Sequence, residues 1–462
     1  MRVVVVGAGI SGLTAAWTLA SRCPDAEVTV LESSAVVGGK LKLAQVAGVQ
    51  FDVGAEELVG RRPEGIDLIA DAGLAEEMIS PLTSRSYLFT AGALHPMPRT
   101  MMGIPADADA VREAGILSED ALARIANEPS LPPLPPLTED VSVGALTRAR
   151  LGEEVTDRVV EPILGGIHSG LIDAMSFQAS VPPAAAALRA GGSLVAALRP
   201  RAPRPTPPPQ TDAKPRPVFA SLTGGLGRLP GELASAGSFT VRTSVTASAI
   251  TRTATGFAID TTGGERLVAD AVIVSTPAAP SAKLLGELAP AAAAELARFE
   301  TSSSAMVTLA LRGVALPPGS GMLIGIKEGF TVKGITFFSQ KWPGTPDGLQ
   351  LVRASVGRAG DTQTLQRDDD ELVAIVRREL PALIGADAEP IDTLVTRWMD
   401  GQPQYNVGHL DRVARIKAAV AAVPGLEVCG ASYDGVGIPA VIASGRTAAA
   451  AVLSAVAPEP TG

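Results

Sequence analysis

The chain has 462 residues, 46% of them hydrophobic and 19% charged, with a formal net charge of −9. A globular chain of this length holds roughly two to four domains, and an acidic chain without a Lys/Arg-rich arm is not built to neutralise nucleic-acid phosphates, so nucleic acid is not an expected partner. Cys23 and Cys429 exclude a disulfide framework and fit a reducing compartment; His95, His168 and His409 stand at no metal-ligand spacing, so no metal is expected.

The first element is VVVV at 3–6, a continuous β-branched run of the kind that is buried on both faces of a parallel sheet. An Ala/Leu-rich helix over 11–21 and a strand EVTVLE over 27–32 complete a βαβ unit. No signal peptide is expected ahead of a strand that starts at residue 3, and no apolar run is expected to reach the ~18 to 20 residues that cross a bilayer. The expected location is therefore the cytoplasm.

Between the first strand and the helix, Gly7-Ala8-Gly9-Ile10-Ser11-Gly12 makes G-x-G-x-x-G. Gly7 permits the tight turn, Gly9 lets backbone approach a pyrophosphate, and Gly12 lets helix and strand pack closely. The helix N-terminus then presents free N–H groups and a positive dipole end to an anion. Glu32 closes the second strand about 20 residues beyond Gly12, where a carboxylate accepts ribose hydroxyls. SSAVVGGK, 33–40, follows at once; its Gly-Gly pair lets a second loop near a dinucleotide, or is an ordinary tight turn.

Further along, 61–79 has helical spacing, and SYLFTAGALHPMP has the pattern of a hairpin turning at Ala91-Gly92. From 107 to 198 the pattern is mainly helical, interrupted by PSLPPLPPL. The stretch 199–217 is so rich in proline that a mobile surface loop is expected. Residues 239–276 and 301–357 are strand-rich, and helices are expected over 368–384 and 409–422. The last segment repeats the style of the first, an apolar strand, a glycine-rich turn and an Ala-rich helix, so the two chain ends are expected to lie together.

Taken together, strand, GxGxxG, helix, strand, Glu32 and the Gly38-Gly39-Lys40 loop resemble the flavin-binding entry of the amine oxidase superfamily, which implies FAD rather than NAD. FDVGAEELVGRRPEGIDLIADAGL (51–74), EPILGGIHSG (161–170), LTGGLGRLPGEL (222–233), RWMDGQPQYNVGHLDRV (397–413) and YDGVGIPAVIASGRTAAAAV (433–452) resemble the bacterial coproporphyrinogen III and protoporphyrinogen oxidases, in the same order. The resemblance implies a flavin held by Gly7, Ala8, Gly9, Ile10, Ser11 and Gly12, by Glu32, by Gly39 and Lys40, and by Gly54, Ala55, Glu56 and Glu57. It also implies an adenine contact at Val245 and closure of the site by Trp398 and Gly437, Ile438 and Pro439. Read from its residue type alone, Trp398 is a core residue. The helix from about Ala440 is expected to aim its N-terminus at the flavin.

The chain departs from that family where it carries His168 in place of an aromatic, and Leu171-Ile172-Asp173 in place of an Asp-Pro turn. An arginine found before the hairpin in some relatives is replaced by Ser86, with Arg85 one position away. Candidate substrate residues are Arg61, Arg85, Arg99, His168, Lys333 and Lys341; each cation, taken singly, reads as a surface charge, and the histidines as structural.

The implied fold class is α/β plus α+β: a discontinuous Rossmann-like FAD-binding domain (1–84, 218–280 and 395–462), an inserted sheet domain for substrate (85–106 and 281–394) and a helical domain (107–198). The implied activity is FAD-dependent, six-electron oxidation of coproporphyrinogen III to coproporphyrin III in haem biosynthesis, with O2 as acceptor and H2O2 as product. The implied partners are a porphyrinogen and O2; the resemblance is also compatible with peripheral membrane contact and transient contact with the next haem-pathway enzyme. The alternatives are protoporphyrinogen IX oxidation, another amine-oxidase or desaturase chemistry, and a protein that keeps flavin only as a fold element. An amine oxidase usually cages its substrate in aromatics, and these are only 3% of the chain, which disfavours that alternative.

Overall fold

A computed structural model describes residues 1–199, 217–361, 363–385 and 387–456. The expected mobile loop at 199–217 therefore lies, except for its two ends, outside the described residues. Strand β1 (Arg2–Val6) runs between β2 (Glu27–Leu31) and the strand Ala271–Val274, all parallel. Thr240–Arg242 and Leu426–Val428 extend the same parallel sheet at its two edges. Alternation along β1 explains its unbroken valines. Val3 and Val5 enter one core and Val4 and Val6 the other, so neither face meets water.

Helix α1 (Ile10–Arg22) covers one face of this sheet. Its Leu13 and Leu19 are fully buried, each worth about 1.5–3 kcal/mol relative to exposure. The last described helix, Ile438–Val456, packs directly along α1, so the first and last segments described lie together as expected. Contact is close because Gly445 faces the backbone oxygen of Ser11. This helix also corrects an expectation: by length and composition Ile438–Ala455 could cross a membrane. Alanine-rich sequence makes it apolar, and the fold uses that face as core, with Ile442, Ala448, Ala449 and Val452 buried.

The second sheet has seven strands, in the spatial order Asp392–Pro403, Thr301–Arg312, Leu349–Val356, Val332–Phe337, Gly321–Ile324, Tyr87–Thr90, Ala93–Pro96. One face packs Val307, Leu309, Val352 and Ala354 under the helix Asp369–Ile384. The opposite face carries Ala310, Leu349 and Leu351 over Phe51 and Val53. Two connections differ from the expected boundaries. Asp392–Pro403 is one long edge strand of this sheet, and helices Ala278–Leu285 and Pro290–Leu296 pack on the parallel-sheet core. The architecture is the expected α/β plus α+β arrangement of a Rossmann-like sheet, an inserted mixed sheet, antiparallel except where Gly321–Ile324 pairs with Tyr87–Thr90, and a helical part.

The hairpin forms as expected, with Ala91 and Gly92 at φ of 53° and 75°, the two positive values a two-residue turn requires. The helix expected over 61–79 is shorter. It spans Pro63–Asp71 and ends before Gly73, whose φ of 77° turns the chain toward a short strand, Met78–Ile79. In the helical part Thr156–Gly165 is wound as a π-helix. Pro162 inside it has no N–H to donate, and a wider turn relieves the clash its ring would make in an α-helix.

Candidate functional site

The turn at 7–12 is held from behind. Gly7 N–H donates to the Leu31 carbonyl (2.7 Å), and Gly38 N–H donates to the Ala8 carbonyl (2.8 Å), which docks the Gly-Gly loop against the first glycine turn. A side chain on Gly12 would place its Cβ 2.0 Å from the Gly7 carbonyl oxygen. A Cβ on Gly9, by contrast, would meet no protein atom within 4 Å. Gly39 and Lys40 lie exposed beside it, and Lys40 Nζ reaches the carbonyl of Gly401. The groove is therefore open where a pyrophosphate would need backbone contact, and these residues fit a dinucleotide.

Glu32 stands at the end of β2 with Oε2 accepting from Ala8 N–H (2.8 Å) and Oε1 from the N–H (2.9 Å) and hydroxyl (2.7 Å) of Ser34. Its carboxylate thus sits at the glycine turn, as its spacing predicts. Val245 lies alongside, its N–H donated to the Glu32 carbonyl (2.9 Å), so a contact with a ligand would use the Val245 carbonyl.

The segment 51–57 crosses beneath the seven-stranded sheet. Gly54 is required there for space, since its Cβ would fall 1.9 Å from the Lys40 carbonyl oxygen and 3.2 Å from the Trp398 ring. Trp398, half-buried, donates its indole N–H to the Val53 carbonyl (3.2 Å). It is a packing residue of that core and lies against Gly54.

Beneath this segment lies an ionic cluster that the sequence reading only half identified. Arg353 donates to the Asp52 carbonyl (2.6 Å), the Gly54 carbonyl (3.3 Å) and Glu56 Oε2 (2.7 Å). Lys341 Nζ binds Glu56 Oε1 (2.6 Å) and Glu57 Oε1 (3.0 Å). The Asp52 carboxylate accepts from the N–H groups of Leu226 (2.9 Å) and Gly227 (2.7 Å), which is what the GGLGRLP element does. Burial, partly offset by those two N–H groups, pushes Asp52 up to about 7. Burial also opposes the charge on Glu56, but Arg353 and Lys341 outweigh it and hold that carboxyl below its ordinary range. A charged residue in the middle of the apolar strand LQLVRASV was the available signal for Arg353.

A cavity of about 450 Å³ opens beside this cluster. Glu57, Lys341, Tyr87, Met97, Phe219 and Leu323 are among its walls. Lys341 is the one expected substrate cation that lines it, and two carboxylates already neutralise it. Ser86, at the family's arginine position, is on its wall; Arg85 is exposed, with its carbonyl accepting from Ser320. Arg61 is exposed, and Arg99 is an exposed residue facing Glu113 at 3.8 Å.

Lys333 is the other notable cation. It is 3% exposed and donates to Ser169 Oγ (2.5 Å) and the Gly357 carbonyl (2.5 Å). Arg358 lies close by, 3.6 Å from Glu161 on the π-helix, and its Nη2 is buried without a hydrogen-bond partner among the described residues. Burial, with Arg358 adding repulsion, pushes Lys333 down to about 7. Because the folded pKa is lowered, the folded state binds fewer protons, so Lys333 costs stability below about pH 7 and that cost fades as pH rises toward 10. Lys333→Met should therefore gain on the wild type at pH 7 relative to pH 10; equal differences in melting temperature at the two values would contradict this.

His168 is half-buried beside Ser169, and burial lowers its pKa. His409 is structural. Its ring stacks on Tyr405 at 3.6 Å, its Nε2 meets the Tyr433 carbonyl (3.2 Å), and burial pushes it to about 4. His95 Nδ1 meets the Ala114 carbonyl (3.1 Å). The Tyr405 hydroxyl donates to the Ala431 carbonyl (2.6 Å) and accepts from Gly435 N–H (2.9 Å). The PQYNVGHL element thereby fixes the loop that delivers Gly437, Ile438 and Pro439. A Cβ on Gly437 would meet nothing within 4 Å, so the N-terminus of the last helix is approachable too. Among the described residues no cluster of His, Cys, Asp or Glu could hold a metal ion.

Comparison with known proteins agrees with this geometry. Residues 10–453 match the family of flavin containing amine oxidoreductases. Coproporphyrinogen III oxidase of Mycobacterium tuberculosis is 35% identical over 455 residues, 98% of this chain and 97% of that protein. The enzyme of the same name from Bacillus subtilis is 32% identical over 98% of both chains. Protoporphyrinogen oxidase 1, chloroplastic, of Spinacia oleracea is 28% identical, covering 90% of this chain and 77% of that one. A crystal structure from Exiguobacterium sp. 255-15 superposes with a TM-score of 0.85 at 32% identity over 98% of both chains. Putrescine oxidase bound to putrescine, at 16% identity and TM-score 0.72 over 98% of this chain and 99% of that one, shares the fold. The chain belongs to the flavin-containing amine oxidoreductase family, in the branch of the coproporphyrinogen III and protoporphyrinogen oxidases, and is an FAD-dependent oxidoreductase.

Proposed function

We propose that the chain oxidises coproporphyrinogen III to coproporphyrin III, with O2 as the final acceptor and H2O2 as by-product. FAD, when bound, supplies acceptance of a hydride from a saturated carbon and delivery of its electrons to O2. The glycine turn 7–12 and the start of α1 would hold the pyrophosphate, and Glu32 the ribose. The Val245 carbonyl would meet the adenine. Gly39, Lys40, Gly54–Glu57, Trp398 and Gly437–Pro439 would surround the ring system. The protein's part is to hold a bridge carbon of the macrocycle in position and to keep competing reactions out. The observation that supports the reading is that the segment 54–57 runs from the Gly-Gly loop, where Gly54 packs on the Lys40 carbonyl, to a roomy cavity that Glu57 lines.

Four propionates need cationic partners; Lys341 lines the cavity, and Lys333 with Arg358 forms a second, buried pair of cations. One observation favours protoporphyrinogen IX instead. Arg61, Arg85 and Arg99 are exposed and Lys341 is neutralised, while Met97, Phe219 and Leu323 offer an apolar wall to vinyl groups. Anaerobic titration with each porphyrinogen, followed by flavin absorbance, separates the two. We expect bleaching by both and a higher kcat/KM for coproporphyrinogen III, with three H2O2 per porphyrin in air. Preference for protoporphyrinogen IX under matched detergent and salt would overturn the substrate choice and leave the flavoenzyme intact.

A further inference from the structure

Porphyrinogen oxidation releases protons as well as hydrides, and the cavity holds one group suited to take them. Among the described residues lining it, Glu57 is the one carboxylate and Lys341 the one cation; the remaining polar side chains are hydroxyls, such as Ser80, Thr83, Ser86 and Thr336. Glu57 Oε1 is held by Lys341 at 3.0 Å. Its Oε2 is buried and has no hydrogen-bond partner among the described residues. A buried acceptor without a donor costs free energy and disfavours the charged carboxylate, which makes Glu57 ready to take up a proton.

The surrounding charges point the same way. Lys341 and Arg353 face three carboxyls, those of Asp52, Glu56 and Glu57. Glu56 is bound on both oxygens by the two cations, and Asp52 is engaged by two backbone N–H groups. Neither of them lines the cavity. Glu57 is therefore the carboxyl left over, and burial, opposed by Lys341 and helped by Glu56, holds its pKa above the ordinary value. This corner is poor in positive charge and does not suit a propionate. It suits the centre of a porphyrinogen, where four pyrrole N–H donors converge.

We propose that Glu57 is a catalytic residue whose carboxylate accepts the pyrrole N–H proton as each methylene bridge is oxidised. The inference rests on the porphyrinogen reading above. In one turn a bridge C–H bond breaks and its electron pair leaves as hydride to FAD. The neighbouring N–H bond breaks, its electron pair closes the C=N bond, and the proton passes to Glu57. The substrate loses two electrons and FAD gains them. Glu57, whose side chain is 25% exposed, then returns the proton to water at the cavity.

The test is anaerobic flavin reduction by coproporphyrinogen III, measured by stopped flow between pH 5 and 9 for the holoenzyme and for Glu57→Gln and Glu57→Asp. A general base contributes about 10²- to 10⁴-fold. Glu57→Gln should lose that much at pH 7 and should lose the acid limb of the wild-type pH profile. Rates are taken per bound flavin, because Glu57 also belongs to the segment that would border the ring system, and Glu57→Asp should restore the acid limb and part of the rate. An unchanged reduction rate and limb in Glu57→Gln would overturn the proposal alone. So would a loss of bound FAD with a normal rate per flavin, which marks a purely structural residue. A wild type that no porphyrinogen reduces would overturn the porphyrinogen reading and this proposal together.

Discussion

Gly9→Val should purify folded and without flavin. Gly9 has φ −68° and ψ 171°, an extended conformation open to any residue, and a Cβ there meets no protein atom within 4 Å. The apo protein should therefore keep its wild-type melting temperature to within about 0.5 kcal/mol of stability, the usual range for a surface change. The new side chain occupies the volume through which a pyrophosphate reaches backbone N–H groups. Losing one or two charge-assisted hydrogen bonds, at about 1.5–3 kcal/mol each, lowers FAD affinity by about 10- to 1,000-fold or more. Added FAD should raise the melting temperature of the wild type and leave the variant where it was. Gly12→Val is the contrasting case. Its Cβ would lie 2.0 Å from the Gly7 oxygen, so it should fail to fold. Normal flavin content in Gly9→Val would show that the groove does not hold the pyrophosphate.

Arg353→Met should cost about 3–5 kcal/mol, the range for breaking a buried ion pair by removing one partner. Arg353 is 8% exposed, and its loss leaves the Asp52 and Gly54 carbonyls and one Glu56 oxygen without their donor. The effect has a pH signature. The Glu56 carboxyl is held below its ordinary value of 4.5, so its contribution to stability is present above about that pH and lost as pH falls through the lower, folded value. The gap between wild type and variant should be widest near neutrality and narrow in acid. Urea midpoints of the apo proteins at pH 7 and pH 4 measure it. A gap below 1 kcal/mol, or one that widens in acid, would mean that Lys341 alone satisfies Glu56.

Much of the fold was legible because its signals are local. A β-branched run, a glycine turn and an acid at fixed spacing specify a βαβ unit before any contact is known. The capping box of Asp368 and Glu371 likewise marks the start of the helix Asp369–Ile384. The shortened helix at 63–71 shows where local reading stops. Helical periodicity continues past Asp71, but Gly73 and the pairing of Met78–Ile79 with Phe219–Leu222 decide the boundary. The last helix shows the reverse case: it is long and apolar enough to pass for a membrane span, which the sequence reading did not foresee, and α1 packed on it accounts for its apolar face as core.

Sequence by itself determined the first βαβ unit and its glycine turn, because Gly7 to Lys40 lie within 40 positions of one another and Gly7, Gly12 and Glu32 each have a steric or hydrogen-bonding reason for their place. Tertiary structure alone decided the charges of the substrate side. Lys341 reads as a free cation and is bound by Glu56 and Glu57 from nearly 300 residues away. Lys333 reads as a surface lysine and is buried against Ser169 and Gly357, and Arg353 joins strand to segment across a similar distance. The physical reason is range. A turn's geometry is set by neighbours in the chain, whereas the ionisation and exposure of a side chain are set by whatever the fold brings within a few ångströms of it.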